Sequence, residues 1–285
     1  MAYLILVLII FNGTQRTIRP DYILFIYLPT KVSRPEKLSM LNKTAILPCL
    51  LAMLYSNDQN ISGSISTSIS FAGIQFRVVE NGVSDNRYIW LHGDEQTAKM
   101  ALEDHIKSYP GKAFFIDCNE REVPFGPTKV DPNRIFSREG AIAALRKFKP
   151  GWNKTVLKAA LDDLDYERDY FLVELFPENE GLLIALHNNF RGYNVKKELD
   201  NSRFSSIKRG QNPRDFIICT EESDYRKLEM GPYNVVLQDE LPNKDDGSLS
   251  WAALKSNIRY INIETRLGWL SKQQKMLRFI EGMLN

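Results

Sequence analysis

The chain has 285 residues, 44% hydrophobic and 25% charged, with 37 basic and 35 acidic side chains for a formal net charge of +2. That is enough apolar material for one sizeable α/β core or two small ones, and the charge balance gives no electrostatic reason to expect a nucleic-acid partner. The sequence has no internal repeat, heptad run or low-complexity block, and its three cysteines form no Cys-x-x-Cys pair, which excludes a structural zinc ribbon.

Two apolar stretches stand near the N-terminus, residues 4–11 and 44–55 (TAILPCLLAMLY). Both fall short of the roughly 18–20 residues a helix needs to cross a bilayer, so no stable membrane span is expected. The second follows Lys37, Met40 and Lys43 and leads into a polar, small-residue stretch, 56–70. A basic start, an apolar middle and a polar exit have the order of a secretory signal. The expectation is a signal peptide at about 40–57, with translation starting at Met40 and residues 1–39 an over-extended reading frame. The protein would then be exported to a periplasm or the extracellular space, and Cys49 would leave with the signal. In the competing reading both stretches are elements of the domain and the protein is cytoplasmic. ILPC lacks the small residue expected before a lipoprotein cysteine. Residues 1–73 are taken as an N-terminal region and 74–285 as the main domain.

Within that domain the pattern alternates. Short β-type runs at 76–80 and 88–91 precede His92-Gly93-Asp94-Glu95. Ala98, Leu102 and Ile106 are spaced for one face of a helix over 96–109, which Pro110-Gly111 stops. A strand follows at 113–117, then helices at 137–148 and 153–166 split by Pro150-Gly151. The run GLLIAL (181–186) reads as a strand ending at His187, and 215–220, 233–238 and 259–263 are further strands. The last helix spans 271–284. Strands alternating with helices predict an α/β three-layer sandwich, a central mixed, largely parallel sheet flanked by helices. Ligands in such folds bind beyond the carboxyl ends of the strands, where His92, His187 and Glu264 are expected. No glycine-rich phosphate loop follows an early strand, which argues against a nucleotide-binding fold.

Only three histidines are available, His92, His105 and His187. A strand-end His and a first-turn Glu three residues on, as in His92 and Glu95, can converge on one metal ion. Asp131-Pro132-Asn133-Arg134 comes next, then Ile184-Ala185-Leu186-His187, then Ile261-Asn262-Ile263-Glu264. In this order, and in the local wording LHGDE, DPNRIF, ALHNN and NIE, residues 74–284 resemble the zinc carboxypeptidase superfamily. That superfamily includes the carboxypeptidase A-like peptidases and the succinylglutamate desuccinylase and aspartoacylase branch.

The resemblance implies a zinc metallohydrolase that cleaves an amide bond beside a free carboxylate, on a peptide or an N-acyl amino acid. It implies one zinc ion held by His92, Glu95 and His187, with Glu264 as general base. Asp131 would hold the other ring nitrogen of His92, and Asn133 and Arg134 would grip the substrate carboxylate. Arg121 is the candidate for stabilising the oxyanion, although its spacing to Arg134 fits neither branch. Ala185 stands where many desuccinylase-branch members have Asp. No tyrosine matches the substrate-binding tyrosine of the carboxypeptidases, Tyr233 lying too far upstream of Glu264. Residues 243–250, Arg191 and Tyr193 are further pocket candidates. His105 is expected to be structural or solvent-facing, and Cys118 and Cys219 to be buried thiols rather than nucleophiles, with their pairing open. The alternative from another class is a binding protein on the same scaffold that has lost catalysis.

Overall fold

Runs rich in Ile, Val, Phe and Tyr suit a pleated, buried surface, and here they become strands separated by Gly, Pro and Asn turns. The computed structural model describes residues 2–11, 20–30, 65–190 and 192–285, which fall in two units, Met1–Asn60 and Ile61–Asn285. In the first unit, β1 (Ala2–Phe11) pairs antiparallel with β2 (Pro20–Thr30). The expected signal at 40–57, with Met40 and Cys49, lies outside the described residues.

The second unit carries the sheet. Its strands are β3 (Ile65–Phe71), β4 (Ile74–Asn81), β5 (Arg87–Trp90), β6 (Gly111–Ile116), β9 (Leu183–Asn189), β10 (Phe204–Ser206), β11 (Phe216–Cys219), β12 (Asn234–Leu237) and β13 (Tyr260–Arg266). A small separate ribbon is formed by β7 (Val123–Phe125) and β8 (Thr128–Val130). The nine strands lie in the order β10-β12-β11-β13-β9-β5-β6-β4-β3. Strands β13, β9, β5 and β6 form a parallel run, and β11 is parallel to β12; the central β11–β13 pairing and the β10–β12, β6–β4 and β4–β3 pairings are antiparallel. Every residue of β5 and β9 is buried, as expected for parallel strands covered on both faces.

The helices are α1 (Gln96–His105), α2 (Arg138–Phe148), α3 (Lys154–Leu175), α4 (Glu222–Leu228), α5 (Leu249–Lys255) and α6 (Leu270–Leu284). One group, α1, α4 and α6, packs together and on β9, β12 and β13; α2 packs on α3, and α3 on β3. The result is the expected α/β three-layer sandwich around a mixed sheet with a parallel centre. No helix among the described residues is long and apolar enough to cross a membrane.

Several elements differ from expectation for identifiable reasons. The strand β3 lies in the stretch read as a polar signal exit, because its serines alternate with Ile65, Ile69 and Phe71 in register with β4. The expected boundary at 73/74 therefore falls in the β3–β4 turn. Helix α3 continues well past 166. Its apolar stripe, Leu157, Leu161, Leu164, Phe171 and Leu175, passes through a buried arginine, Arg168, which breaks the pattern in sequence. Two nitrogens of Arg168 are partnered, Nε donating to the Ile135 carbonyl at 2.7 Å and Nη1 to Asp165 at 2.6 Å, while Nη2 is buried without a partner. His187 and Glu264 do not end their strands but sit inside β9 and β13, whose pairing continues to Asn189 and Arg266.

His105 is structural. Its Nε2 lies 2.9 Å from Glu281 Oε1, and the Tyr88 hydroxyl donates to the same oxygen at 2.7 Å, tying β5 and α1 to α6. Burial alone would raise the Glu281 carboxyl, but the bonds from His105 and Tyr88 outweigh it and hold it below the usual range. A carboxyl whose pKa is depressed in the fold adds stability that is complete above its unfolded value, about 4.5, and is lost as pH falls through the folded value. Glu281→Gln is therefore expected to cost about 1–2 kcal/mol at pH 7, a drop of about 2–8 °C in melting temperature for a unit of this size. Thermal melts of both proteins across pH 3–7 should converge at the acidic end.

Candidate metal centre and its cavity

The site begins at the end of β5. After Trp90 the chain turns through Leu91-His92-Gly93-Asp94 into α1. Gly93 is needed here: a Cβ would sit 2.3 Å from the Cys118 carbonyl oxygen, and the Gly93 N–H donates to the Glu120 carbonyl at 3.0 Å. This close approach brings the 118–121 loop, and with it Arg121, beside the turn. Glu95 is the N-cap residue of α1, yet its side chain does not cap the helix. Asn188 of β9 does that instead, its Oδ1 accepting from the Ala98 N–H at 2.8 Å and from the Thr97 hydroxyl at 2.6 Å. The Glu95 carboxylate is thereby left to point into the site.

That carboxylate is 2% exposed and lies between the two histidines. His92 Nδ1 is 2.9 Å from Oε1, and His187 Nδ1 is 3.0 Å from Oε2. Arg121 Nη1 donates to Oε1 at 2.8 Å. The other nitrogen of His92, Nε2, lies 2.8 Å from Asp131 Oδ1, which also accepts the Asn133 N–H at 2.9 Å. Burial disfavours charge on His92, but Glu95 and Asp131 outweigh it and push its pKa up to about 9. Burial likewise opposes the charge on Glu95, and the two histidines hold it well below the usual carboxylate range.

One ligand atom each from His92, Glu95 and His187 lie within 4.8 Å of one another. Two imidazole nitrogens and a carboxylate, all buried and all facing one point, are a donor set that a divalent cation satisfies. Asp131 holds one proton of His92 on Nε2, and a metal ion between His92 Nδ1 and Glu95 would take the place of the other. The group can hold a metal ion. Support is uneven: His187 Nε2 is buried without a hydrogen-bond partner, so nothing behind His187 does what Asp131 does behind His92.

Glu264 arrives through register. Strands β9 and β13 are parallel neighbours, and Glu264 is the partner of His187. Its carboxylate is 6% exposed, and burial holds its pKa above the ordinary value. Asn189 Nδ2 donates to Glu264 Oε2 at 3.2 Å. The orientation of this amide is settled by Arg214, whose donor-only Nε gives a hydrogen bond to Asn189 Oδ1 at 2.8 Å, so the NH2 must face Glu264.

His92, Glu95, Arg121, His187, Asn189 and Glu264 line one cavity of about 390 Å³, together with Asn133, Arg134 and part of the 243–250 segment, while Asp131 and Arg214 stand behind its wall. Asn133 Oδ1 accepts the Leu249 N–H at 2.9 Å, which leaves Nδ2 as its remaining donor. Arg134 Nη2 is 3.6 Å from Asp246 Oδ2. The turn and the segment are pressed together: a Cβ on Gly140 would lie 2.2 Å from Gly247 Cα, and Gly247 takes φ +78°. A larger hollow of about 650 Å³ between α3 and β3 contains carboxylates and a lysine but no histidine, so chemistry rather than volume distinguishes the site.

The structure thus brings together His92, Glu95, His187, Glu264, Arg121, Asp131, Asn133 and Arg134. Tyr193 lines the cavity, Tyr233 packs instead against Phe279, and Arg191 lies outside the described residues. Cys118 and Cys219 are unpaired thiols, and burial raises the pKa of Cys219. Sequence reasoning missed Asn188, Asn189, Arg214, Glu198 and Gln238. For Asn188, Asn189 and Gln238 the available signal was polarity in or beside buried strand runs, which is informative because such groups need partners; Arg214 and Glu198, in turns, carried none.

His92→Ala, Glu95→Ala and His187→Ala are each expected to abolish tight metal binding, while Asp131→Ala should weaken it about 10- to 100-fold. Competition titration against a chelator measures both.

No family model matches the chain, and no curated protein matches it. Among solved structures, the crystal structure of epoxide hydrolase VrEH1 from Vigna radiata aligns over 79% of this chain and 75% of its own, at 13% identity and a TM-score of 0.16. That superposition is too loose to indicate a shared fold.

Proposed function

We propose that this chain is a zinc-dependent hydrolase of the carboxypeptidase kind, cleaving an amide bond beside a free carboxylate on a peptide C-terminus or an N-acyl amino acid. The observation that carries this reading is the pairing of Glu264 with His187 across β13 and β9, in one cavity with His92, Glu95 and the Asn133–Arg134 pair. A buried carboxylate beside a His-Glu-His donor set, opposite an arginine, has the parts that hydrolysis of a carboxylate-bearing amide requires.

The residues divide the work. His92, Glu95 and His187 would hold zinc, which when bound makes a water acidic near neutral pH and polarises a carbonyl. Arg134 and the Nδ2 of Asn133 bind the substrate carboxylate and so fix which amide lies in reach. Glu264 accepts a proton from the attacking water and delivers it to the leaving amine nitrogen. Asn189, itself held by Arg214, keeps Glu264 Oε2 in place for both transfers. Arg121 spends one N–H on Glu95 and keeps others for the carbonyl oxygen as negative charge grows on it.

In zinc-loaded protein, Glu264→Gln is expected to lower kcat on a responsive N-acyl amino acid or peptide by about 10²–10⁴-fold with zinc content unchanged. Arg134→Ala should act mainly on KM. Steady-state kinetics on a library of C-terminally varied peptides and N-acyl amino acids, with zinc measured alongside, tests this. Full activity in Glu264→Gln would sink the mechanism.

A further inference from the structure

One wall of the cavity carries a carboxylate of the protein's own beside the groups proposed to take the substrate's. Asp246 Oδ2 stands 3.6 Å from Arg134 Nη2, and both residues line the cavity. The Arg134 side chain is 39% exposed and that of Asp246 47%, so a ligand entering from solvent reaches this pair.

The contact is held by the segment that carries Asp246, which is pinned on both sides of it. Asp245 is buried; its Oδ1 accepts the Gly247 N–H at 2.7 Å, and Lys255 of α5 donates to its Oδ2. Gly247 is pressed onto the backbone of Arg134 itself: a Cβ there would lie 2.4 Å from the Arg134 carbonyl oxygen. Within this fixed turn, Asp246 Oδ1 accepts the Ser248 N–H at 3.0 Å. One carboxylate oxygen is thus spent on the backbone and the other is presented to Arg134.

Arg134 is constrained from its own side. Its Nη1 donates to the Asn133 carbonyl at 2.6 Å, while Nη2 faces Asp246. A carboxylate ligand taken bidentately needs two parallel N–H groups of the guanidinium. An anion held beside Nη2 competes for that fork, and it repels a second carboxylate approaching the same edge.

We propose that Asp246 is an internal competitor of the substrate carboxylate: it stands on Arg134 in the ligand-free protein and is exchanged for the substrate on binding. This inference rests on the proposed reading of the Asn133–Arg134 pair. Asp246 then sets specificity rather than chemistry. With the charge of Arg134 already balanced, a small carboxylate that satisfies the arginine alone is held weakly. A ligand that also fills the rest of the cavity has the additional contacts needed to displace Asp246.

Calorimetric titration of the full chain, zinc-loaded and zinc-free, with 3-phenylpropanoate and its neutral counterpart 3-phenylpropanamide tests this. Asp246→Asn is the informative variant, because asparagine keeps an oxygen for the Ser248 N–H and removes the charge. In both metal states it is expected to bind the carboxylate about 3- to 10-fold more tightly than the unaltered chain, through loss of an exposed ion pair and of the repulsion, with the amide unaffected. In an Arg134→Ala background the same substitution should gain about twofold at most, since no guanidinium is released. On a substrate that the zinc-loaded chain hydrolyses, Asp246→Asn should lower KM and leave kcat unchanged. Thermal melts show that each variant is folded. Equal or weaker carboxylate binding in Asp246→Asn, an equal gain for the amide, a gain as large in the Arg134→Ala background, or no carboxylate binding by any form overturns the proposal. Zinc uptake and Glu264-dependent hydrolysis score the hydrolase reading separately. A chain that gains carboxylate affinity in Asp246→Asn but takes up no zinc keeps the competitor and loses the hydrolase; one that hydrolyses through Glu264 without that gain does the reverse.

Discussion

The buried carboxylate of Glu95 is the constraint around which the site is organised. Removing a full negative charge from water is costly unless donors or cations surround it. Here His92, His187 and Arg121 do so, and each comes from a different part of the chain: the β5–α1 turn, the parallel strand β9 and the loop after β6. One side chain thus demands that three segments meet. The same convergence leaves two imidazole nitrogens and two carboxylate oxygens facing one point. In the absence of protons or a cation that arrangement sets lone pairs against one another, and it is what allows the cluster to hold a metal ion.

Alternation along β9 lets one strand serve both layers. His187 and Asn189 turn toward the cavity, while Asn188 turns the other way. Asn188 Nδ2 donates to Thr265 Oγ1 at 3.0 Å and to Gln273 Oε1 at 2.8 Å, and its Oδ1 caps α1. The strand that carries His187 therefore also fastens α1, β13 and α6 to one another. The helix that carries Glu95 and the strand that carries Glu264 are both tied to the strand that carries His187. Preorganisation of this kind matters because misplacing a reacting group by about an ångström has large consequences for rate.

The opposite wall depends on backbone contact. Gly140 and Gly247 approach too closely for any side chain, and Phe136 N–H donates to the Gly247 carbonyl at 2.9 Å. This seats the 243–250 segment against the Asn133–Arg134 turn and uses up the oxygen of Asn133, leaving the donor side of its amide for an anion.

Much of this was legible in the chain itself. Strand and helix alternation and the breakers Pro110-Gly111 and Pro150-Gly151 can be read from residue type and spacing, because local periodicity and turn chemistry depend on near neighbours; the ordered groups His92/Glu95, Asp131 to Arg134, His187 and Glu264 stood out only through their resemblance to a known family's motif order. Elements whose pattern was broken by polar residues were read short or missed, such as α3 at Arg168 and the serine-rich β3. What only the tertiary structure decided was which distant residues share a face: that Glu264 is the register partner of His187, that Arg214 orients Asn189, and that Glu198 reaches the same cavity as Arg134. Those relations depend on strand order and on the alternation of side chains across a sheet. Both arise from long-range pairing, and residues far apart in sequence carry no local mark of it.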